Sequence, residues 1–285
     1  MAKRIEQVGV IGAGAMGSGI AQVFAQAGYR VVLNDVFPEQ LIRAMEAIRR
    51  HTTRLMEKGQ ISQAEQQAII ARITVAPTLE EAAQAQLVVE AIVEQTQAKE
   101  QLFASLDRAS PSETTLASNT SSLSISRLAA ATARPGQVIG LHFSNPAPLM
   151  KLVEVVRGLA TTDETHAAVV ELVGALGKTP VTIQDAPGFA LNRLLIPMLN
   201  EAMFLLMEGV ASREDIDAVM KLGANHPMGP LALADLIGLD TCLAIMEVLH
   251  RDLGEDKYRP CPLLRKMVAA QHLGRKTGRG FYTYA

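Results

Sequence analysis

The sequence predicts an α/β fold: a doubly wound, mostly parallel sheet with a helical hairpin insertion, followed by a smaller all-α domain. Short apolar runs alternate with helical stretches as far as Ile183, an alternation typical of βαβ units. The pattern changes at Asp185-Ala-Pro187-Gly188, and nearly every pattern from Phe189 onward is helical. A chain of 285 residues is long enough to bury two cores. We therefore predict a sheet domain over residues 1–186 and an all-helical domain over residues 187–285.

A glycine-rich turn follows the first apolar run. Ile5–Ile11 has the pattern of a buried strand, and Gly12-Ala-Gly14-Ala-Met-Gly17 leads from it into a helix. In this setting Gly12 permits the tight turn, Gly14 lets the backbone approach a pyrophosphate at the helix N-terminus, and Gly17 lets helix and strand pack closely. The order of strand, glycine motif and helix predicts a Rossmann dinucleotide-binding site; the alternative is a purely structural turn.

An acidic residue extends this motif. Asp35 follows the second predicted strand, Val31–Asn34, and lies 18 residues after the last glycine. A carboxylate at this place accepts hydrogen bonds from the adenosine ribose, which favours NAD over NADP. The predicted cofactor contacts of this region are Gly12, Gly14, Ala15, Met16, Gly17 and Asp35.

Two helical patterns come next, Pro38–Lys58 and Ser62–Ala71, with a break at Gly59. Together they are longer than a simple crossover, so we predict a helical hairpin that projects from the sheet. Three basic residues share one row of the first helix: Arg50, Arg54 and Lys58. This row is either a solvated face or a site for the phosphates of a large substrate.

Polar residues follow two further predicted strands. Leu87–Glu90 continues into Ala-Ile-Val-Glu94, and Thr115–Ser118 continues into Asn119-Thr-Ser121-Ser. Open α/β sheets bind their ligands at the carboxyl ends of parallel strands. We therefore expect both segments at the cofactor edge, although simple N-capping of the next helix is an alternative for the second.

The stretch Leu141–Glu154 carries a histidine and a glutamate on two apolar runs. His142 ends the first run and Glu154 lies in the second, with Pro146 and Pro148 between them. If the runs fold back about Pro148, the two residues come level, because each is six residues from it. A carboxylate beside an imidazole fixes its tautomer and strengthens it as a general base. The alternative is a core histidine with a surface glutamate.

Composition argues against several classes of partner and location. The formal net charge of −2 gives no general attraction to nucleic acid or to an anionic membrane. No apolar run approaches the roughly 18 residues that a membrane span needs. A strand pattern starts almost at the N-terminus, so we expect no signal or transit peptide. Cys242 and Cys261 form no metal-ligand pattern, and we expect free thiols in a reducing cytoplasm and no metal.

The second domain is predicted to contain helices at about 189–208, 213–222, 230–250 and 260–271, with a possible short strand at Phe281–Tyr284. These helices carry more Leu and Met than a small domain is expected to bury alone. The surplus predicts a homodimer interface.

Taken together, these motifs resemble the L-3-hydroxyacyl-CoA dehydrogenases, and among them the short single-function members that act on 3-hydroxybutyryl-CoA. The matching runs cover nearly the whole chain: VGVIGAGAMGSGIA, VVEAIVE, ASNTSSLSIS, GLHFSNPAPLMKLVEVV, DAPGFALNRLL, MKLGANHPMGPLALADLIGLD and GRKTGRGFYTY. The resemblance implies NAD-dependent oxidation of a short-chain (S)-3-hydroxyacyl-CoA to the 3-ketoacyl-CoA, and the reverse. One departure is Ser144, where mammalian members usually carry an aromatic residue, and this departure concerns the acyl pocket.

The resemblance also assigns residues. It implies that His142 is the general base and that Glu154 is its orienting carboxylate. The implied substrate contacts are Ser121 at the hydroxyl, Asn192 from the helical domain, Asn145 at the thioester or nicotinamide edge, and Lys58 at the coenzyme A phosphates. The resemblance implies that Glu94 and Lys99 lie near the cofactor. Asn119, from the polar cluster after the Thr115–Ser118 strand, is also predicted to contact the cofactor.

Three alternatives stay open at this point. The first is a dicarboxylic substrate, 3-hydroxyadipyl-CoA from phenylacetate breakdown. The second is a β-hydroxyacid dehydrogenase acting on a free acid, although such enzymes commonly use a lysine where this chain presents His142 and Glu154. The third is a structural protein related to the lens lambda-crystallins, although this chain keeps every expected catalytic residue.

Overall fold

The structure, a computed structural model, describes residues 5–284. The chain separates into two compact units, Met1–Asp185 and Ala186–Ala285. The division falls one residue before the predicted boundary. The expectation that no leader peptide is present was based in part on residues 1–4, which lie outside the described residues.

The first unit is built on one eight-stranded sheet. Its strands are β1 (Gln7–Ile11), β2 (Arg30–Asn34), β3 (Ile73–Ala76), β4 (Leu87–Glu90), β5 (Thr115–Ser118), β6 (Val138–Phe143), β7 (Leu152–Arg157) and β8 (Thr179–Gln184). They lie in the order β3-β2-β1-β4-β5-β6-β7-β8. Neighbouring strands are parallel except for β6 and β7, which are antiparallel. The predicted mostly parallel α/β sheet is therefore confirmed.

The direction in which strands are added reverses at β1, which lies between β2 and β4. This reversal is a topological switch point, and the glycine-rich turn follows directly from β1. All four residues of β4 are buried. A strand that is covered on both faces has no solvent-exposed side, so its sequence is a continuous apolar run without alternating polar residues.

Seven helices are described in the first unit: α1 (Ala15–Gln26), α2 (Pro38–Glu57), α3 (Gln63–Ala71), α4 (Leu79–Ala83), α5 (Thr96–Ala109), α6 (Ile125–Ala129) and α7 (Asp163–Ala175). The predicted helical hairpin is α2 with α3. Ser62 begins α3 through a reciprocal capping box: its hydroxyl accepts the Glu65 N–H, and the Glu65 carboxylate accepts the Ser62 N–H. The short helix α4 was not predicted.

In the core of the first unit, helix α1 packs against β6, the strand that carries His142. Phe24 of α1 is fully buried and meets Phe143 of β6 edge-on, with ring centroids 6.4 Å apart. Aromatic pairs prefer this edge-to-face geometry. The contact therefore fixes the position of α1 against the end of β6.

The second unit is helical and has its own apolar core. Its helices are α8 (Leu191–Met207), α9 (Arg213–Gly223), α10 (Pro230–Ile237), α11 (Leu239–Leu253) and α12 (Pro262–Ala269). The single helix predicted over 230–250 is wrong, because Gly238 at φ +104° separates α10 from α11. None of the helices described in either unit is long and apolar enough to cross a membrane.

The strand predicted at Phe281–Tyr284 is also wrong. Within the described residues, this segment contributes only an isolated bridge between Arg279 and Thr283. The buried carboxylate of Asp235 takes its donors instead: Oδ1 accepts the Phe281 N–H at 2.9 Å, and Oδ2 accepts the Tyr282 N–H and the Tyr284 hydroxyl, each at 2.9 Å. Asp235 thereby fixes the last turn of the chain.

A second buried aspartate holds the beginning of α10. Asp217 accepts the N–H groups of Leu231 and Ala232 at 2.7 and 3.1 Å, which belong to the first turn of that helix. It also accepts the Tyr282 hydroxyl at 2.9 Å. First-turn amides lack partners inside their own helix, so Asp217 satisfies them from outside.

Candidate active site

His142 and Glu154 lie directly opposite each other on the antiparallel strands β6 and β7. The imidazole Nδ1 is 2.8 Å from Glu154 Oε2, and both residues are buried. The sequence predicted this level placement from the equal spacing about Pro148. The hairpin register produces it, because opposite residues of an antiparallel pair project to the same face.

The hydrogen bond to Glu154 sets the tautomer of His142. An ionised carboxylate is only an acceptor, so Nδ1 carries the proton and donates it to Oε2. The remaining ring nitrogen, Nε2, is then the basic one. The pair has the arrangement of a general base held by an orienting carboxylate.

The connection between β6 and β7 carries the other predicted residues of this stretch. Asn145 is exposed in the turn and joined to Pro146 by a cis peptide bond. Ser144, the departure from the mammalian pattern, is buried and directly precedes Asn145. The turn therefore places an amide side chain three residues from the imidazole.

A buried ion pair lies at the carboxyl end of β4. The Lys99 ammonium contacts Glu90 Oε1, and both side chains are at most 1% exposed. Glu90 also accepts the Ile92 N–H at 2.8 Å and the Ser118 hydroxyl at 2.6 Å. Burial raises the pKa of Glu90 above its ordinary value, while the Lys99 charge and these hydrogen bonds act in the opposite direction.

Lys99 also reaches Glu94, with 3.2 Å between Nζ and Oε2. Glu94 Oε1 in turn accepts the Thr120 hydroxyl at 2.5 Å and the Ser121 N–H at 2.9 Å. Burial alone raises the pKa of Glu94, but the Lys99 charge and these hydrogen bonds outweigh it and hold the pKa below its ordinary value. Glu94 is thus an anion that holds the backbone at Ser121.

Asn119 connects the same loop to the strand of His142. Its side-chain oxygen accepts the Phe143 N–H at 2.9 Å. The alternative that this polar cluster only caps the following helix is wrong, because the cap of α6 is Ser124, whose hydroxyl accepts the Arg127 N–H. The cluster joins the ends of three neighbouring strands instead.

Sequence reasoning missed Ser118 and Thr120 as members of this network. Each hydroxyl bonds to an acid that precedes it by 26–28 residues in the chain. The available signal was a hydroxyl at the last position of a buried apolar strand, which must find a partner.

The glycine-rich turn has the shape that a dinucleotide requires. Gly12 has φ +99°, and an added Cβ there would lie 2.6 Å from the Ala91 carbonyl oxygen. A Cβ on Gly17 would lie 1.7 Å from the Gly12 carbonyl oxygen, so only glycine permits this packing. A Cβ on Gly14 would meet nothing within 4 Å.

The open space at Gly14 fits a pyrophosphate. Gly14 is exposed and begins α1, whose first-turn N–H groups and helix dipole favour an anion. Ala15 is exposed beside it, and Met16 is half-buried. Asp35 lies at the end of β2, where its carboxylate accepts the Ala13 N–H at 2.7 Å and the Phe37 N–H at 2.9 Å. The residues therefore fit the predicted dinucleotide.

The basic row is exposed on the helical hairpin. Lys58 ends α2, and Arg50 and Arg54 precede it on the exposed side. Burial, and then the charges of Arg54 and Lys58, lower the pKa of nearby His51. Arg54 and Lys58 thus act together on His51, whereas Arg50 lies 3.6 Å from the Glu46 carboxylate.

Asn192 belongs to the second unit, where it is the second residue of α8. The chain enters this helix through Gly188 at φ +72° and Phe189 at φ +51°. Positive φ is uncommon for a bulky residue such as phenylalanine, so the entry is a conformationally demanding turn.

Comparisons with known proteins agree with this geometry. The model of the 3-hydroxyacyl-CoA dehydrogenase NAD binding domain matches residues 7–186, and that of the 3-hydroxyacyl-CoA dehydrogenase C-terminal domain matches residues 188–284. The chain belongs to the 3-hydroxyacyl-CoA dehydrogenase family, as its motifs predicted. It is an NAD-dependent dehydrogenase of this family, and its cofactor is NAD.

The relatives narrow the class further. The chain is 57% identical over 280 residues to the probable 3-hydroxybutyryl-CoA dehydrogenase of Bacillus subtilis, covering 98% of each protein. It is 53% identical over 284 residues to the 3-hydroxybutyryl-CoA dehydrogenase of Bradyrhizobium diazoefficiens, covering 100% of this chain and 97% of that one. The crystal structure of (S)-3-hydroxybutyryl-CoA dehydrogenase from Ralstonia eutropha matches with a TM-score of 0.96 at 48% identity, covering 99% of this chain and 100% of that one.

Proposed function

We propose that this enzyme interconverts a short-chain (S)-3-hydroxyacyl-CoA and the corresponding 3-ketoacyl-CoA, with 3-hydroxybutyryl-CoA as the preferred substrate. The observation that carries the proposal is the buried His142–Glu154 pair, with 2.8 Å between Nδ1 and Oε2. Relatives that are 48–57% identical and bear the name 3-hydroxybutyryl-CoA dehydrogenase support the acyl length.

In the oxidative direction, His142 takes the proton of the substrate 3-hydroxyl on Nε2. NAD held at Gly12, Gly14 and Gly17 would supply the acceptor for the hydride on C3. The imidazolium that results lies beside the Glu154 carboxylate, which offsets its charge. In the reductive direction, the same imidazolium returns its proton to the oxygen on C3. The pair is 8% and 2% exposed, which limits the access of bulk water to this proton transfer.

Three further residues are assigned to the substrate in this proposal. Ser121 donates a hydrogen bond to the substrate oxygen, and its loop is held in place by the Glu94 carboxylate. Asn192, the second residue of α8, is assigned to the substrate by its match to the family motif. Asn145, exposed in the β6–β7 turn, contacts the thioester end or the nicotinamide edge.

The cofactor contacts divide into direct and indirect ones. Gly12, Gly14, Ala15, Met16, Gly17 and Asp35 hold the pyrophosphate and the adenosine ribose in this proposal. Lys99 is only 1% exposed and is engaged by two carboxylates, so it acts indirectly, by fixing Glu94. Asn119 likewise acts through its hydrogen bond to Phe143, which secures the strand end beside His142.

Lys58 is assigned to the coenzyme A phosphates. It is exposed at the end of α2 and shares its side of the helix with Arg50 and Arg54. Phosphate groups favour such clustered cations, and the attraction weakens as salt increases.

One assay tests the reaction, the coenzyme and the substrate together. The rate of NADH oxidation is measured with acetoacetyl-CoA, free acetoacetate and 3-ketoadipyl-CoA, and the series is repeated with NADPH. Among the three substrates we expect the highest kcat/KM for acetoacetyl-CoA. We expect NADH to be preferred over NADPH, because Asp35 repels a 2′-phosphate. Equal kcat/KM for free acetoacetate would reject the coenzyme A ester as substrate. Equal or better use of NADPH would reject the role of Asp35.

We also propose that the enzyme is a cytoplasmic homodimer joined through its helical unit. Large apolar side chains are exposed on this unit, with Leu194 at 77%, Val219 at 64% and Leu222 at 86%. Exposed apolar surface of this kind is typical of subunit interfaces. Light scattering at micromolar concentration should give twice the mass of one chain, and a monomer would reject the dimer.

A further inference from the structure

The turn that joins β6 to β7 is poor in hydrogen-bond donors. Pro146 and Pro148 have no N–H group, and the amides of Leu149 and Met150 both donate to the Pro146 carbonyl, at 3.0 and 3.1 Å. The carbonyls of Ala147, Pro148 and Met150 therefore take their donors from another part of the chain.

Lys178 supplies these donors. Its ammonium lies 2.7 Å from the Ala147 carbonyl oxygen, 3.1 Å from that of Pro148 and 2.8 Å from that of Met150. An ammonium has three N–H donors and no acceptor, so three carbonyls around it use its full capacity. One side chain thus ties together three points of a four-residue segment.

The backbone of Lys178 is itself fixed on both sides. Its N–H donates to the Val173 carbonyl near the end of α7. The next residue, Thr179, begins β8, and its N–H donates to the Lys151 carbonyl. A lysine just after a helix often serves the carbonyls of that helix. Lys178 instead directs its ammonium to the turn beyond β6, which argues for a specific role there.

The opposite side of the turn packs on α1. Ala147 is 2% exposed, and an added Cβ on Gly19 would lie 3.4 Å from the Ala147 Cβ and 3.2 Å from the Pro148 Cδ. Apolar packing therefore holds the inner side of the turn, while Lys178 holds its outer side, where Leu149 and Met150 are exposed. Loss of the ammonium should loosen the outer side and leave the fold intact.

We propose that Lys178 is a positioning residue for the His142–Glu154 pair. By closing the turn, it holds the register in which the two side chains face each other across β6 and β7. Asn145, in the same turn, is positioned with them. This inference rests on the proposed function, because the rate effect requires that the pair be catalytic.

Chemical rescue tests the ammonium itself. Lys178→Met should lower kcat with acetoacetyl-CoA about 10- to 100-fold, the scale of a small misplacement of catalytic groups, with KM for NADH unchanged. Lys178→Cys should behave alike, and alkylation of the new thiol with 2-bromoethylamine, which rebuilds an ammonium on a chain of lysine length, should restore kcat. Cys242 and Cys261 are fully buried, and burial raises the pKa of the Cys242 thiol to about 12, so they should not react.

Two controls accompany the rescue. Wild-type enzyme treated with the reagent should keep its kcat. Lys151→Met removes an exposed lysine at the end of the same turn and should keep a kcat near that of the wild type. If Lys178→Met keeps kcat, or if alkylation fails to restore it while mass spectrometry shows complete modification, the proposal is overturned.

A combined variant separates positioning from general stability. In the His142→Gln background no base remains to be positioned, so Lys178→Met should lower the residual kcat by a clearly smaller factor than in the wild type. Equal factors in the two backgrounds would mean that Lys178 acts independently of the pair, and would overturn the proposal.

Hydrogen exchange distinguishes this failure from a failure of the proposed function. Peptides covering residues 144–151 should exchange faster in Lys178→Met than in Lys151→Met, whatever the enzyme's substrate. Faster exchange in an enzyme that reduces no 3-ketoacyl-CoA would refute the proposed function while leaving the closure of the turn by Lys178 intact. Unchanged exchange in an active enzyme would refute the role of Lys178 alone.

Discussion

Both units bury carboxylates, but these carboxylates have different donors. In the sheet unit, Glu154 accepts a hydrogen bond from the imidazole of His142. In the helical unit, Asp235 accepts hydrogen bonds from two backbone amides and from the Tyr284 hydroxyl. An imidazole gains and loses a proton near neutral pH, whereas amides and tyrosine hydroxyls keep theirs.

Burial alone therefore does not mark a catalytic acid. Asp235 and Asp217 are buried like Glu154, at 1% and 6% exposure, yet their neutral donors make them fixed points for backbone segments. Glu90 is intermediate, because its donor, the Lys99 ammonium, is charged but only 1% exposed. The chemistry of the donor, and its access to a ligand, separates reaction groups from structural ones.

The largest expected effect falls on His142. His142→Gln keeps a hydrogen-bonding side chain of similar reach but removes the base, so kcat should fall about 10²- to 10⁴-fold. The melting temperature and the Kd for NADH should stay near the wild-type values. Steady-state kinetics, thermal melting and NADH fluorescence titration give the three values. A loss of cofactor binding as large as the loss of kcat would make His142 a structural residue like Asp235.

The opposite outcome is expected for Asp235. Asp235→Asn keeps one acceptor oxygen but places an NH₂ donor in front of one of the two N–H groups of Phe281 and Tyr282, so the free energy of unfolding should fall by about 1–3 kcal/mol. Denaturant unfolding measures this fall, and kcat per folded molecule should be unchanged. Asp252→Asn, at an exposed acid, is the matched control and should cost less than about 0.5 kcal/mol.

A smaller effect is expected on tyrosine titration. Burial, and then the hydrogen bond to Asp235, raise the pKa of Tyr284 from 10.0 to about 12. The folded state therefore favours the protonated phenol, and this contribution to stability is complete below pH 10 and is lost as the pH rises toward 12. Tyrosinate absorbance should show Tyr284 titrating closer to pH 10 in Asp235→Asn. An unchanged titration curve would mean that Asp235 does not control Tyr284.

Short-range patterns made part of the site predictable. The glycine motif follows a strand and opens a helix, and those local requirements fix Gly12 and Gly17 before any tertiary contact is known. The register of His142 and Glu154 was predictable for a similar reason, because a proline-containing turn between two short apolar runs leaves few ways to pair them.

Other features depend on distant contacts that one sequence does not reveal. Lys99 lies on a helix that looks amphipathic, where a lysine normally faces solvent, yet Glu90 draws it into the interior. Gly238 interrupts a long helical pattern. Because a single glycine costs a helix only about 1 kcal/mol, the sequence alone predicts one continuous helix here. The segment Phe281–Tyr284 is rich in aromatic residues, as strands often are, but the Asp235 carboxylate accepts the N–H groups of Phe281 and Tyr282.

His142 and Glu154 act as one unit in this mechanism, and a double-variant cycle measures their coupling. The kcat for acetoacetyl-CoA reduction is measured for the wild type, His142→Gln, Glu154→Gln and the combination. Glu154→Gln removes the charge that offsets the imidazolium, so it should lower kcat with little change in KM for NADH. The combination should be barely slower than His142→Gln, because a carboxylate without its imidazole has nothing left to orient. Losses that multiply independently, or a Glu154→Gln enzyme with full kcat, would contradict the account.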